Sequence, residues 1–279
     1  MIALIILAAS VFAAALSSVI ICSVSINTTE YTVPIKGVND DVKLVCISDL
    51  HGWEYGKNNK KLIGLIAAQQ PDAIIIAGDM ITRRAREKQI CRMLRVIKCL
   101  NEIAPIYYAT GNHEADYMAV NGMDLLERVS ETGAVVLYDS AADATVNGNH
   151  VRIGAASGRY FDSSERDKVT LKMLEEIGND GIPSIAVVHQ PENILLQEDS
   201  VNWTADIYLS GHTHGGVWCI PGIGGIMAPT QGLFPKYDKG KFVINKEKPL
   251  IINAGLSGYY FIPRMFNKPE ICVIFIESK

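Results

Sequence analysis

Five short stretches of this 279-residue chain carry side chains of the types that can hold metal ions: Asp49-Leu50-His51, Gly78-Asp79, Gly111-Asn112-His113-Glu114, His189, and Gly211-His212-Thr213-His214. Together they offer two aspartates, one asparagine and five of the chain's six histidines, with no cysteine among them. Carboxylate oxygen combined with imidazole nitrogen suits divalent Mn, Fe, Zn or Co. Two such ions, held about 3.5–4 Å apart, clamp the attacking and leaving oxygens of a phosphoryl transfer. A bridging aspartate would hold the pair, and a bridging hydroxide would be the nucleophile. The glycines before Asp79, Asn112 and His212 permit tight turns and close backbone approach. A lone Asp-x-His is a weak signal, and a buried, satisfied histidine is the usual reading of any one position. That reading does not account for five histidines at strand ends; only His150, beside Asn149 in a turn, stands apart.

The elements that must position these residues follow from hydrophobic patterning. Val42–Ser48 is a β-branched apolar run that stops at Asp49. Ala73–Ala77 is a second buried strand, ending at Gly78-Asp79, and Ile106–Thr110 a third, ending at Gly111-Asn112. Lys60–Gln69 and Glu87–Leu100 read as helices between them. Short apolar strands alternating with helices indicate a parallel or mixed sheet with helices outside. The second half is predicted to hold strands at Val135–Tyr138, Val151–Ala155, Ile185–His189 and Ile207–Leu209, with a helix at Glu165–Ile177. Past residue 214 the chain is rich in Gly and Pro, with strands near Phe242–Ile244, Leu250–Asn253 and Ile271–Ile276. In open α/β sheets, sites form outside the carboxyl ends of strands, so five polar strand ends imply one convergent cluster. The pattern predicts one domain in two halves, with two mixed sheets face to face and helices outside.

Composition limits the alternatives. An apolar fraction of 48% is ample for a core, and a net charge of −4 with scattered Lys and Arg argues against a nucleic-acid binder. The six cysteines form no CxxC pair, so neither a disulfide framework nor a zinc knuckle is expected; small buried hydrophobes are. From Met1 to Asn27 there is no charged side chain, and Ile2–Val24 is long enough to span a bilayer. The basic n-region of a signal peptide is absent, which favours an uncleaved anchor over a cleaved signal, although Ala15 and Ser17 are small. The expected organisation is therefore an anchor or signal segment over residues 1–26, a linker over 27–41 with an edge strand around Tyr31–Ile35, and a catalytic domain over 42–279. Lys36 and Lys43 after the span weigh toward a cytoplasmic domain. Single N-terminal anchors more often leave the domain outside, and an extracytoplasmic domain on the cell membrane is the expectation.

The order Asp-x-His, Gly-Asp, Gly-Asn-His-Glu, His, Gly-His-x-His resembles the calcineurin-like metallophosphoesterase superfamily over nearly the whole chain after residue 42. Residues 48–56 (SDLHGWEYG), 212–216 (HTHGG), 232–237 (GLFPKY) and the tail from Pro263-Arg264 to Pro269-Glu270 resemble its membrane-anchored bacterial branch, the YkuE/YaeI-like phosphoesterases. Val217 stands where that branch often has Gln. The resemblance implies a four-layer α/β/β/α sandwich, two divalent metals (Mn, Fe or Zn) and hydrolysis of a phosphate ester. By motif, one metal would be held by Asp49, His51, Asp79 and His214, the other by Asp79, Asn112, His189 and His212, with Asp79 bridging. His113 would contact the phosphoryl group and protonate the leaving oxygen, a task for a group poised near neutral pH. Glu114 would orient His113 or a ligand, or reach substrate.

Other residues are weighed against plainer roles. Arg83, Arg84 and Arg86 suit substrate phosphate, but an exposed charge run is favoured. Arg264 is a pocket candidate, Trp53 and Trp218 are rim candidates, and Tyr259, Tyr260 and Phe261 are expected to pack. The anchor brings in a second reading, cleavage of a lipid-linked pyrophosphate as in UDP-2,3-diacylglucosamine hydrolases of the same superfamily. A noncatalytic scaffold is the reading from another class; with no ligand position missing, it is disfavoured.

Overall fold

The apolar strand pattern resolves into two six-stranded mixed sheets in a computed structural model of the chain. The structure describes all residues except 160, 162–164, 197, 245–246 and 260–261, and it leaves the side chains of 165–167 and 198–199 undescribed. In chain order the elements begin with α1 (Ile2–Val24), β1 (Asn27–Ile35), β2 (Val42–Ile47), α2 (Lys60–Gln69), β3 (Ala73–Ala77), α3 (Glu87–Asn101), β4 (Ile106–Ala109), α4 (Asn112–Asn121) and α5 (Asp124–Ser130). Then come β5 (Val135–Leu137), β6 (Ser140–Val146), β7 (Asn149–Ala155), α6 (Glu165–Glu176), β8 (Ser184–Val187), α7 (Glu192–Leu195) and β9 (Ile207–Ser210). Short hairpin strands β10 (Cys219–Ile220), β11 (Gly224–Gly225), β12 (Met227–Ala228) and β13 (Gly232–Leu233) precede β14 (Gly240–Ile244), β15 (Lys248–Ile252) and β16 (Glu270–Ser278).

The first sheet has the order β1-β16-β2-β3-β4-β5, the second β14-β15-β9-β8-β7-β6. The pairs β2–β3, β3–β4 and β4–β5 are parallel, as are β7–β8, β8–β9 and β9–β15. Period-two alternation decides which layer each side chain joins. Ala73, Ile75 and Ala77 pack with Ile153, Ile185, Val187, Ile207 and Leu209, in the layer between the two sheets. Ile74 and Ile76 point the other way, against Leu62 and Ile66 of α2 and Ile90, Met93 and Ile97 of α3. On the outer face of the second sheet, Ala186, Val188 and Tyr208 pack with Leu174 and Ile177 at α6 and with Ile194 of α7. This is the expected four-layer α/β/β/α arrangement.

Several boundaries differ from expectation. The stretch expected as a linker contributes a nine-residue edge strand, β1, paired in parallel with β16 from Asn27 onward. Its alternating pattern is diluted by Thr28, Thr29 and Glu30, which hides its length. Helix α4 is not predicted by the patterning, because its first turn is the Gly-Asn-His-Glu motif itself. Of the six cysteines, Cys22, Cys46 and Cys272 are buried as expected, while Cys91 is exposed and Cys99 and Cys219 are half-buried. Helix α1 is long and apolar enough to cross a membrane, with a mean hydropathy of 2.6, and only Ser18 and Cys22 are buried against the rest of the chain.

Candidate metal centre

Every candidate ligand lies just past the carboxyl end of a strand: Asp49 after β2, Asp79 after β3, Asn112 after β4, His189 after β8 and His212 after β9. Because β2, β3 and β4 are neighbours in one sheet and β8 and β9 in the other, facing the sheets brings these ends together. The turns are knitted by backbone bonds, Asp49 N–H to Gly78 O at 2.9 Å, His51 N–H to Asp79 O at 3.0 Å and Gly211 N–H to His189 O at 3.0 Å.

The backbone is driven into the left-handed region at the ligands themselves. Asp49, His51, Asp79, His212 and His214 all have φ between 47° and 70°. That conformation costs a non-glycine residue of order 1–3 kcal/mol and persists only where surroundings over-determine it. Two glycines make the crowding workable. A Cβ on Gly111 would lie 2.1 Å from Asp79 Oδ1, and one on Gly78, whose φ is 93°, would lie 2.8 Å from His189 Nδ1.

Three histidines are turned by backbone carbonyls. Nδ1 of His51 lies 3.1 Å from Ile81 O, that of His189 2.6 Å from Ala77 O, and that of His214 3.3 Å from Ser257 O. Each carbonyl is an acceptor, so Nδ1 carries the proton and Nε2 is left toward the carboxylates. The Nε2 atoms stand 3.8 Å (His51) and 3.8 Å (His214) from Asp49 Oδ1, and 3.7 Å (His51) and 3.3 Å (His189) from Asp79 Oδ2. Three groups of ligand atoms lie close enough to share an ion: Asp49, His51 and His214; His51, Asp79 and His113; and Asp79, His189 and His212.

The fit to metal ions shows in what is left unmade. Asn112 Oδ1, His189 Nε2 and His212 Nε2 are buried without a hydrogen bond among the described residues. Leaving a polar atom so costs about 1–3 kcal/mol each. All three belong to one expected ligand set; Asn112 Oδ1 and His212 Nε2 offer lone pairs, and His189 Nε2 faces Asp79 Oδ2 at 3.3 Å. Electrostatics agrees. Burial pushes the His212 imidazole down to about 3 and holds those of His51 and His214 below their usual value, so these rings are neutral. Burial also opposes charge on His189, but the Asp79 carboxylate outweighs it and pushes His189 up to about 10. Asp79 is held well below the carboxylate range by His189, against its own burial, while burial and the Asp79 charge push Asp49 up to about 6.

His113 sits differently. Its Nδ1 accepts the Arg83 N–H at 3.1 Å, which puts the neutral ring's proton on Nε2, 4.0 Å from Asp79 Oδ2. Burial pushes it down to about 4. Its own N–H, in the first turn of α4, donates to Asp79 Oδ1 at 2.8 Å. Next to it, Glu114 is fully buried and accepts from the backbone N–H groups of Asp79 (2.8 Å), Met80 (2.7 Å) and Gly111 (2.9 Å), and from the Tyr108 hydroxyl (3.1 Å). Burial, with the Asp79 charge, pushes it up to about 7 against these donors. Its oxygens face backbone donors rather than the cavity, so the contact with substrate expected of Glu114 has a structural reason to be absent.

A cavity of about 730 Å³ opens beside the cluster, lined among others by His51, His113, His214, Arg83, Arg84 and Trp53. Arg264 also borders it, yet is buried, with Nε donating to Ser257 O at 2.6 Å, Nη1 to His214 O at 3.0 Å and Nη2 to Ala254 O. It clamps the loops that carry His214 rather than reaching into the open space. Trp218 is off the cavity lining, with its indole N–H donating to Pro263 O at 2.8 Å, and Arg86 is likewise absent from that lining. Tyr259 meets the His214 ring edge-on at 5.4 Å; Tyr260 and Phe261 lie outside the described residues. His150 is exposed and 3.4 Å from Asp143, away from the cluster.

Two supports escape the sequence reading. Asn267 donates through Nδ2 to His214 O at 2.8 Å and Gly215 O at 2.9 Å, fixing the turn behind the paired histidines. Asn253 donates to Cys46 O at 3.1 Å and accepts from Ser48 Oγ at 3.0 Å, fixing the approach to Asp49. Asn253 has a signal, a polar residue closing an apolar strand like the ligands themselves; Asn267, in an irregular tail, has none.

Comparison with known proteins agrees with this geometry. The family model described as calcineurin-like phosphoesterase matches residues 42–216. The chain is 26% identical to the uncharacterized metallophosphoesterase YkuE of Bacillus subtilis, covering 91% of this chain and 86% of that one. It is 24% identical to the UDP-2,3-diacylglucosamine pyrophosphatase LpxG of Chlamydia muridarum, over 84% and 83%. Among solved structures it resembles TT1561 of Thermus thermophilus, with a TM-score of 0.52 at 14% identity, covering 78% of this chain and 91% of that one. Strand-end ligands, facing sheets and matched motifs thus lead to one assignment: the chain belongs to the calcineurin-like phosphoesterases, metal-dependent hydrolases of phosphate esters.

Proposed function

We propose that the chain hydrolyses phosphomonoester or phosphodiester bonds at a dinuclear metal centre. Asp49, His51, Asp79 and His214 would hold one ion, and Asp79, Asn112, His189 and His212 the other, with Asp79 common to both sets. The observation that carries this reading is the pair of buried lone pairs without hydrogen bonds on Asn112 Oδ1 and His212 Nε2, beside His189 Nε2, which faces Asp79 Oδ2 at 3.3 Å. Two divalent ions supply Lewis-acid stabilisation and an activated water at neutral pH. The chain's own groups do the rest. His113 presents Nε2–H to the reacting phosphate as a hydrogen-bond donor that binds and orients it; burial favours the neutral ring, and the Arg83 N–H at 3.1 Å fixes its tautomer. Arg83 and Arg84, on the cavity wall, attract the substrate's negative charge. Glu114 holds the turn after β3 against the start of α4, so that Asp79 and His113 keep their relation.

Helix α1 anchors the domain in the cell membrane; its 23 residues, its apolar circumference and the small part of it buried in the fold support this. The domain lies outside the cytoplasm, the usual placement behind a single N-terminal anchor. A second reading of the substrate has its own support: Cys22 and Ser23 of α1 line the same cavity as His51 and His113. A site walled by the end of a membrane helix suits a lipid-linked phosphoester or pyrophosphate, and the similar Chlamydia protein is named for such a substrate.

The test strips full-length protein with chelator and restores Mn, Fe, Zn, Co or Mg singly. Turnover is read on bis-p-nitrophenyl phosphate, p-nitrophenyl phosphate and a lipid-linked pyrophosphate. Metal-dependent turnover that Asp79→Ala abolishes supports the reading; full activity in Asp79→Ala would sink it.

A further inference from the structure

The anchor helix does not leave the domain as a free stalk. Ser18 Oγ accepts the backbone N–H of Phe266 at 2.6 Å, and Ser18 is buried. At ~1.5 Å rise per residue, Ser18 lies about 9 Å before the helix's last residue, Val24. The helix itself is about 34 Å long at that rise, against a hydrocarbon core of about 30 Å. A helix that spans the bilayer therefore carries Ser18 below the membrane surface, and whatever touches Ser18 goes with it. Phe266 is that residue, and 45% of it is exposed.

Backbone bonds link the segment of Phe266 to a run of other exposed apolar residues. The neighbouring Met265 bridges to Trp218 and accepts the Cys219 N–H at 3.0 Å. Trp218 O accepts the Ile226 N–H at 2.7 Å, and Ile226 O accepts the Phe234 N–H at 2.8 Å. These bonds tie the β10–β13 hairpins to the tail and the tail to α1. Along that path the fold leaves Ile223 at 68%, Leu233 at 70% and Phe234 at 62% exposed. Trp218 and Ile220 are also exposed, and Lys236 and Lys268 flank Phe234 and Phe266. Scattered apolar residues need no explanation, but exposed apolar side chains on segments bonded to one another, with lysines beside them in sequence, mark a contact surface. Trp at one side and Lys able to reach outward are what the water–lipid boundary selects.

We propose that the face formed by Trp218, Ile220, Ile223, Leu233, Phe234 and Phe266 is a second membrane contact. It rests in the interfacial layer of the bilayer that α1 enters. This rests on the anchoring reading of α1, because only a spanning helix carries Ser18 to that depth. The consequence is orientation: two contacts, one helical and one from the hairpins, hold the cavity that Cys22 and Ser23 border at the level of the headgroups.

The experiment reconstitutes the full chain in phosphatidylcholine–phosphatidylglycerol vesicles containing lipids brominated near the carbonyl end of their acyl chains. Tryptophan emission is compared between wild type and Trp218→Phe; Trp203 is buried and Trp53 is common to both. A second reporter, Phe234→Trp, covers the case in which Trp218→Phe misfolds. The proposal expects the emission of Trp218, and of the Phe234→Trp reporter, to fall at least about twofold in brominated vesicles, as for a side chain at the lipid boundary. Alkaline extraction run on the same vesicles separates the two readings. Protein that resists extraction while both reporters are unquenched overturns the docked face and leaves the anchor standing. Protein released by alkali overturns the anchor, and the docked face with it.

Discussion

Strand β3 and the two residues that follow it are opposites in chemistry and adjacent in sequence. Ala73–Ala77 is wholly buried, apolar and extended, with both faces packed against other layers. Gly78 and Asp79 are equally buried, yet both have positive φ, and one is a carboxylate beside four histidines of the cluster. The strand supplies stability, since a fully buried Ile contributes about 1.5–3 kcal/mol. The turn consumes some of it in strain. The same division recurs at β2 and Asp49 and at β9 and His212. The lesson is that the sheets here exist to over-determine their own ends.

That contrast can be broken from either side. The largest effect is expected at His113. His113→Asn should lower turnover by about 10²–10³, the usual weight of one hydrogen-bond donor aimed at transition-state charge, while two metals per chain remain bound by elemental analysis. Next, Ile75→Ala should lower unfolding free energy in urea by about 2–5 kcal/mol, while turnover per folded molecule is unchanged. Loss of metal in Ile75→Ala at full folding would show that strand and site are not separable. Smaller is Glu114→Gln. It keeps the shape but loses acceptor strength toward the backbone N–H groups, and metal affinity or kcat should fall about 10–100-fold, with KM unchanged. The smallest effect is pH dependence of metal uptake. His189, pushed up to about 10 by Asp79, is protonated in the ion-free chain, and an ion takes Nε2 only after that proton leaves. Affinity therefore rises with pH, by up to about tenfold per unit for one displaced proton, and weakens further as pH falls through the Asp49 value of about 6. A chelator-competition titration across neutral pH reads this slope, and a flat profile would remove the His189 proton from the account.

Much of this is legible in the sequence because the strands are short, apolar and stopped by polar residues. Asp49, Asp79 and His189 announce themselves as charges or imidazoles ending runs that could not otherwise tolerate them. The alternation in Ala73–Ala77 even separates the helix-facing isoleucines from the sheet-facing ones. What is not legible depends on contacts distant in the chain. Arg264 reads as a pocket residue until its guanidinium is seen bonded to the carbonyls of Ala254, His214 and Ser257. Glu114 reads as a residue that orients His113 or a ligand, or reaches substrate, until it caps α4 and gathers the turn after β3. Neither partner set is signalled by spacing. Asn267, fifty-three residues from the carbonyl of His214 that it holds, cannot be distinguished in the sequence from any polar residue in the tail.

The measurement that tests the central claim most directly is anomalous scattering from crystals of the chain soaked in Mn. The account predicts two peaks flanking the Asp79 carboxylate, about 3.5–4 Å apart, one beside His51 and His214 and the other beside Asn112, His189 and His212. A single peak, or peaks away from Asp79 in a folded, soaked protein, would contradict it.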